Sequence, residues 1–258
     1  MPRQAVRQRR ISMSDILQAF RRTLSTLSNG RPWRYILTPA LVALLLLVIL
    51  SLLWLKALAS LFMSLPPISW LDAWNLHWLA QILAFLGGWL AILLFSYVLA
   101  VLLAAVAVMP WLLDYLADGE YADVARRDAR SLTASVWNSI WSALIFILGW
   151  LLTLPLWLVP GLNLALPTLW MAWLNRRTFA YEACSLHTTV AEWDKLRQHH
   201  AGALFLLGLL MALLAYVPVI GLLAPSLTAL VYSHYCLEAV RRLRQECAEA
   251  ASLPGETS

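Results

Sequence analysis

The sequence predicts an all-α integral membrane protein with two long transmembrane helices, two re-entrant (or short spanning) helical hairpins and an N-terminal amphipathic helix. Three observations lead to this fold class. Of the 258 residues, 61% are hydrophobic and 13% are charged, and the mean hydropathy is +0.71, whereas soluble domains are about 45–50% apolar and about 25% charged. Two apolar stretches are long enough to cross a bilayer, and two more are broken in the middle by proline and glycine. This composition excludes a secreted disulfide scaffold, a disordered chain and an ordinary cytosolic enzyme.

The N-terminal segment starts with a polar, basic stretch, residues 1–11, which we expect to be disordered. Residues 12–28 predict an amphipathic helix, because apolar side chains recur there at helical spacing with polar ones opposite. The apolar positions are Met13, Ile16, Leu17, Phe20, Leu24 and Leu27. Such a helix is suited to lie in the headgroup plane of a membrane, and the alternative is an ordinary helix packed on its own protein.

Two stretches predict the transmembrane helices. Residues 36–55 contain twenty residues without a charged side chain, which matches the ~20 residues needed to cross about 30 Å of hydrocarbon. Residues 82–109 form an apolar stretch of 28 residues. At ~1.5 Å per residue this stretch is longer than the hydrocarbon, so the helix must tilt or protrude.

Two later apolar blocks, residues 139–174 and 201–237, resemble each other. Val159-Pro-Gly-Leu-Asn-Leu-Ala-Leu-Pro167 interrupts the first block, and Val217-Pro-Val-Ile-Gly-Leu-Leu-Ala-Pro225 interrupts the second 58 residues later. A proline–glycine break ends one helix, and the following proline suits the first turn of the next, so each block predicts a helical hairpin. The turn residues are Pro160, Gly161, Asn163 and Pro167 in the first block and Pro218, Gly221 and Pro225 in the second.

The lengths of the two blocks bear on whether the hairpins cross the bilayer. Two full crossings and a turn need roughly 40–44 residues, but the blocks contain 36 and 37. We therefore favour re-entrant hairpins over a six-span arrangement, which stays open as the alternative. Together the elements form a single membrane domain, residues 12–248, followed by a tail, 249–258, that we expect to be disordered.

The basic residues are unevenly distributed along the chain. The net charge is +5, and eight of the nineteen lysines and arginines lie before residue 35. If the N-terminus is cytoplasmic, eighteen of the nineteen lie inside and Lys56 alone lies outside, the direction that the positive-inside rule predicts. A basic N-terminus beside an apolar span indicates anionic lipid headgroups as the partner rather than nucleic acid.

The sequence lacks the common catalytic motifs. It contains no G-x-S-x-G, H-E-x-x-H, P-loop or glycine-rich dinucleotide motif, so we predict no catalytic residue, no cofactor and no enzyme activity. Three histidines, His187, His199 and His200, share a polar segment with Glu192 and Asp194. Their spacing is not that of metal ligands, so we predict no metal site and interpret them as solvated loop residues.

An anion site built from helix ends and arginines is the remaining candidate. Helix N-termini carry unpaired amides and a partial positive charge, and we expect the second arm of each hairpin to begin near Pro167 or Pro225, at membrane depth. Gly30-Arg31-Pro-Trp-Arg34 places two guanidiniums at the start of the first span. Paired guanidinium donors suit tetrahedral oxyanions, although arginines at this place also commonly bind lipid phosphate.

This layout resembles the CysZ-type sulfate permeases, within the etoposide-induced-protein-like membrane superfamily. The likeness covers about residues 14–244. It rests on Gly30-Arg31-Pro-Trp-Arg34 leading into a helix start, on Val159-Pro-Gly-Leu-Asn163, which resembles the family's hairpin turn, and on Leu207-Gly208. The resemblance implies two long spanning helices, two partly penetrating hairpins, homo-oligomeric assembly in the bacterial inner membrane, and sulfate entry for cysteine synthesis. It also implies that Arg34, Arg31 and Gly30 contact sulfate.

A second class of function competes with transport. The basic first helix and the arginines could grip lipid headgroups in a non-transport membrane scaffold or lipid-interacting protein of the same superfamily. Sulfate flux separates the two hypotheses, because a scaffold would instead show binding that follows the anionic lipid content.

Overall fold

The computed structural model describes residues 13–28, 30, 32–66, 68–124, 132–217 and 220–252. All regular structure within these ranges is helical, which confirms the all-α class. The elements are α1 (Met13–Ser28), α2 (Trp33–Ser64), α3 (Ile68–Ala73), α4 (His77–Leu103), a π-helical turn (Ala104–Val108), α5 (Met109–Ala117), α6 (Leu132–Thr153), a 3-10 turn (Leu154–Leu158), α7 (Leu162–Ser185), α8 (Val190–His199), α9 (Ala201–Leu214) and α10 (Ile220–Ser252). The tail expected from residue 249 is helical as far as Ser252, and residues 1–12 and 253–258 lie outside the described residues.

Three helices in the described ranges are long and apolar enough to cross a membrane: Trp33–Ser64, His77–Ala117 and Ser135–Leu158. The first two contain the stretches 36–55 and 82–109 in which the sequence predicts spans. The third falls in the block that the sequence analysis assigned to the first hairpin. It consists of most of α6 and the 3-10 turn, which continues the apolar run up to the proline–glycine break.

The chain divides into two compact units. The smaller unit, Thr38–Val101, holds most of α2, α3 and most of α4. Two adjacent glycines of α4 allow close packing inside it: a Cβ atom on Gly87 would lie 3.3 Å from the Phe62 ring, and one on Gly88 would lie 3.2 Å from a Leu55 methyl group. Small side chains at these positions therefore let α2 and α4 approach, as small residues do in membrane helix pairs.

The larger unit, formed by residues up to Leu37 and from Leu102 onward, has its core around α7, α9 and α10. A Cβ atom on Gly208 would lie 2.6 Å from the Ala172 carbonyl oxygen, so α9 and α7 touch through their backbones. Tyr232 of α10 is fully buried behind this contact, stacks on Phe179 and donates a 2.6 Å hydrogen bond to the Leu204 carbonyl oxygen.

Helix α7 carries the polar residues 175–182 into the protein interior. Asn175, Thr178 and Glu182 are buried. Ser135 donates a 2.7 Å hydrogen bond to the Glu182 carboxylate, and the Asn175 side-chain amide donates to the Gly208 carbonyl oxygen at 3.4 Å. Buried polar groups are tolerated when they are hydrogen-bonded in this way, so the polar run continues the helix and does not end it.

The polar segment after α7 also differs from the sequence prediction. The interpretation of its histidines as solvated loop residues is wrong for His187, which is fully buried. His199 is exposed but is the last residue of α8, and His200 is half-buried, with its ring 2.9 Å from the Tyr235 hydroxyl. Glu192 is a structural residue, because it completes a capping box with Thr189 at the start of α8 and forms a 3.2 Å ion pair with Arg244. Within the described residues no group of histidine, cysteine and acidic side chains could hold a metal ion.

Candidate functional site

The start of the first span is shaped as a tight turn into a helix. Gly30 has φ +72°, a backbone conformation that favours glycine. The Pro32 carbonyl oxygen accepts the amides of Tyr35 and Ile36 at 3.0 and 3.1 Å, so α2 begins directly behind the turn. Arg34 is the second residue of α2 and is exposed.

Arg34 lies beside an aromatic pair. Its guanidinium lies 4.9 Å from the centre of the Tyr35 ring, and that ring packs at 5.6 Å against the indole of Trp111. A guanidinium stacked on an aromatic face is held in place by a cation–π contact. Arg31, the second predicted guanidinium, lies outside the described residues.

The first hairpin turn is exposed. Pro160, Gly161 and Asn163 all lie at the surface, and Gly161 adopts φ +89°, where a side chain would be strained. Helix α7 starts at Leu162, so Pro167 is its sixth residue. The expectation that this arm begins near Pro167 is therefore wrong by about one turn: the proline lies inside the helix, where its missing N–H deprives the Asn163 carbonyl of its usual partner.

The second hairpin turn repeats this geometry. Helix α10 starts at Ile220, five residues before Pro225 and 58 residues after the start of α7. The prediction that it begins near Pro225 is wrong for the same reason. Gly221 is required by packing, because a Cβ atom there would lie 2.2 Å from the Ala215 carbonyl oxygen. Pro218 lies outside the described residues.

One contact joins two of the predicted features. Ser226, next to Pro225 in α10, is fully buried and donates a 2.8 Å hydrogen bond to the carbonyl oxygen of Ile36. Ile36 lies two residues after Arg34 in the first turn of α2 and is itself fully buried. The structure therefore brings the second arm of the second hairpin against the helix start that carries Arg34. The turn with Pro160 and Gly161 is placed separately, at an exposed position.

A partly buried charge cluster, which the sequence did not predict, lies in the larger unit. Arg22 of α1 pairs with Glu238 of α10 at 2.9 Å and with Glu120 at 3.2 Å, and it donates a 2.6 Å hydrogen bond to the Tyr121 hydroxyl. Arg241 forms a bidentate pair with Asp123, and its guanidinium lies 4.6 Å from the centre of the Tyr121 ring. The one sequence signal was Glu238 with basic residues three and four positions later, a spacing that places them on one helix face.

The electrostatics of the charge cluster indicate a structural role. Burial raises the pKa of Tyr121 to about 12, although the bond from Arg22 acts in the opposite direction. The hydrogen bond from Arg241 lowers the pKa of the Asp123 carboxyl. Because carboxylates balance both guanidiniums, this cluster holds α1 and the 118–124 turn against α10 and does not present positive charge to an anion.

A cavity of about 800 Å³ lies between α1, α8 and α10. Its wall carries charges of both signs. The acidic residues include Asp15 and Glu238, and the basic residues include Arg22, Lys195 and Arg242. None of the described predicted site residues lines it. A wall of mixed sign does not concentrate anions, so the anion candidate stays at the start of α2.

Comparison with known proteins identifies the family. A family model described as sulfate transporter CysZ/etoposide-induced protein 2.4 matches residues 19–225, well over half of the chain. The chain belongs to this family. The match covers α2 with Arg34, the first hairpin turn and the second turn as far as Pro225, and it confirms the resemblance to the CysZ type. No curated protein and no solved structure matches the chain.

Membership in the CysZ/etoposide-induced protein 2.4 family agrees with the fold. The three span-length helices and the family description together make this a membrane protein of a transporter-type family. Arg34 lies in the first turn of the first of these helices.

Proposed function

We propose that this CysZ-family protein is a membrane permease for sulfate or a related oxyanion, which supplies sulfur assimilation. We place it in the bacterial inner membrane with the N-terminus cytoplasmic and, by its likeness to the sulfate permeases, as a homo-oligomer without a cofactor. The observation that carries the proposal is Arg34, exposed in the first turn of a span-length helix and held beside the second hairpin through Ser226 and Ile36.

The mechanism follows from the chemistry of this helix start. The guanidinium of Arg34 provides paired donors for a tetrahedral oxyanion, and the N-terminal end of α2 adds a partial positive charge of about half a unit. Gly30 and Arg31, directly before the helix, complete the proposed contacts. These two arginines and the helix amides replace part of the hydration shell without binding the anion too tightly for release.

We further propose that both hairpins are re-entrant. The two arms of a hairpin share one turn, so the shorter arm sets how deep the turn can reach. In the first hairpin thirteen residues, 162–174, separate the turn from the polar residues 175–177, a length of about 20 Å. In the second, α9 has 14 residues, about 21 Å. Both are short of the ~30 Å hydrocarbon thickness, although Ser135–Leu158 alone is long enough to cross.

Labelled sulfate uptake into proteoliposomes tests the proposed function. We expect purified wild-type protein to give uptake well above empty vesicles, and Arg34→Ala to lose most of it, because the variant lacks the guanidinium donors. Arg34→Lys should keep part of the uptake, since it retains the charge but not the fork geometry. The matched control is Arg197→Ala, an exposed arginine on α8, which should transport as wild type.

Two results would contradict the permease. One is uptake equal to that of empty vesicles together with unchanged sulfate binding by Arg34→Ala. The other is binding to vesicles that follows their anionic lipid content while no sulfate crosses, which would favour the scaffold function.

A further inference from the structure

The proposed oxyanion site at the start of α2 has a support that comes from another helix. Trp111, the third residue of α5, has its ring centre 5.6 Å from that of Tyr35, and the two rings are tilted by 56°. Tyr35 is half-buried, and the centre of its ring lies 4.9 Å from the Arg34 guanidinium. We call Tyr35 and Trp111 the aromatic pair. The contact between the two rings restricts the Tyr35 side chain, and therefore the surface on which Arg34 rests.

Helix α10 anchors both chain segments that carry the aromatic pair. Ser226 donates its 2.8 Å hydrogen bond to the carbonyl oxygen of Ile36, next to the tyrosine of the pair. Ser233 has its hydroxyl oxygen 3.0 Å from the sulfur of Met109, two residues before the tryptophan. All four of these residues are fully buried. Seven residues make about two helical turns, so the two serines lie on one face of α10. One helix therefore sets the spacing of the two segments whose rings meet.

The helix that carries Trp111 changes its winding directly before this anchor. Ala104–Val108 form a π-helical turn, and Met109 follows it. Such turns occur frequently at functional sites. Beyond the turn, Met109 is fully buried and Trp111 is 52% exposed, since side chains two residues apart in an α-helix point about 200° away from each other. The chain thus keeps Met109 on α10 and presents the indole at the surface, where Arg34 also lies.

An exposed tryptophan near a helix end has a simpler explanation as a lipid anchor. Tryptophans concentrate at the membrane–water interface and hold helices there. A lipid anchor does not need the Tyr35 ring, whereas a support of Arg34 acts only through that ring. The two explanations therefore predict different results when both members of the aromatic pair are changed.

We propose that Trp111 is a positioning residue for the oxyanion site, because its indole fixes the Tyr35 ring and thereby the guanidinium of Arg34. The inference rests on the proposed function. A side chain that is already ordered loses less conformational freedom when its ligand binds, so the aromatic pair raises the affinity for the oxyanion. The pair does not contact the anion itself, so it leaves the maximal rate of transport unchanged.

The concentration dependence of labelled sulfate uptake into proteoliposomes tests this inference. Trp111→Leu should raise the sulfate concentration for half-maximal uptake (KM) about two- to fivefold, the change in affinity that corresponds to a cation–π contact at an exposed site, without changing the maximal rate. Trp111→Met is a second variant with the same expectation, and Trp111→Phe keeps a ring against Tyr35 and should restore most of the wild-type KM. The matched control is Trp141→Leu in α6, where the tryptophan is also 52% exposed, and its KM should equal that of wild type.

The double variant Trp111→Leu/Tyr35→Leu separates a support of Arg34 from a lipid anchor. We expect Tyr35→Leu to raise the KM and the second change to raise it no further, because the tryptophan acts through the tyrosine. A KM that rises by the product of the two single changes would overturn the inference, as would a wild-type KM for Trp111→Leu. Both of these results leave the permease standing, since they require that wild-type protein transports sulfate. An absence of uptake by wild-type protein would overturn the permease and this inference together.

Discussion

Replacing Gly208 by alanine should lower the free energy of unfolding, whereas the same change at Gly202, six residues earlier in α9, should not. At Gly208 the new Cβ atom would lie 2.6 Å from the Ala172 carbonyl oxygen and 2.9 Å from the Tyr232 hydroxyl. The nearest atom belongs to the backbone and cannot rotate away, so α7 and α9 must separate by most of an ångström. At Gly202 nothing lies within 4 Å of the new methyl group.

The magnitudes of the two effects can be set against each other. Overpacking in a well-filled core costs about 1–3 kcal/mol, and alanine in place of glycine inside a helix gains up to ~1 kcal/mol. We therefore expect Gly208→Ala to lose about 1–2 kcal/mol of unfolding free energy, and Gly202→Ala to be neutral or to gain up to ~1 kcal/mol.

Unfolding of the two purified variants in detergent micelles by heat or by SDS, followed by circular dichroism, measures this difference. The wild-type protein gives the reference midpoint. If Gly208→Ala unfolds at the same midpoint as Gly202→Ala, α7 and α9 do not approach closely at Gly208, and the predicted loss of stability is refuted.

Three further changes test other parts of the structure. Gly161→Ala should cost about 1–2 kcal/mol of stability by the same assay, because φ +89° strains any side chain; an unchanged midpoint would contradict this turn. The bond from Arg241 lowers the pKa of Asp123, so its stabilising effect is present at neutral pH and is lost as the pH falls through the folded-state pKa. Asp123→Asn should therefore flatten the decline of the midpoint below about pH 4, and an acid decline as steep as that of wild type would refute the ion pair. Ser226→Ala removes the hydrogen bond to Ile36 and should lower the unfolding free energy by about 0.5–1.5 kcal/mol and reduce sulfate uptake. Wild-type values of both quantities would show that this contact does not position the start of α2.

The sequence pattern predicted the helices whose apolar character is explained by contact with lipid. The two long spans are continuous runs of apolar residues, and such runs need no knowledge of a tertiary partner. The hairpin repeat was predictable for a similar reason: α7 and α10 begin 58 residues apart, the spacing of the two turn motifs. The sequence did not predict that Pro167 and Pro225 would occupy the sixth helical position, because the first helical residue is set by the turns before them. Gly161 precedes Leu162 with a positive φ, and Gly221 packs on Ala215.

The polar segments were harder to predict, because their partners are remote in sequence. Polarity near residue 175 predicted the end of an apolar block, yet α7 continues to Ser185. The reason is that Ser135 and Gly208 supply hydrogen-bond partners for Glu182 and Asn175. Likewise, nothing near His187 in the sequence indicates that it is buried. The start of α8, by contrast, could have been predicted from the Thr189–Glu192 capping box, which lies within the segment interpreted as a loop.

The arginines at the N-terminus show why composition overstates the charge available to an anion. In the sequence Arg22 and Arg34 belong to one basic region, and both would contribute equally to an electrostatic attraction. In the structure Arg22 contacts Glu120 and Glu238, so its charge is largely cancelled within a few ångströms. Arg34 is exposed beside aromatic rings at a helix N-terminus, where the helix dipole adds to its charge. The oxyanion contacts proposed above lie in the short region around the start of α2, and this is the region against which Ser226 holds the second hairpin.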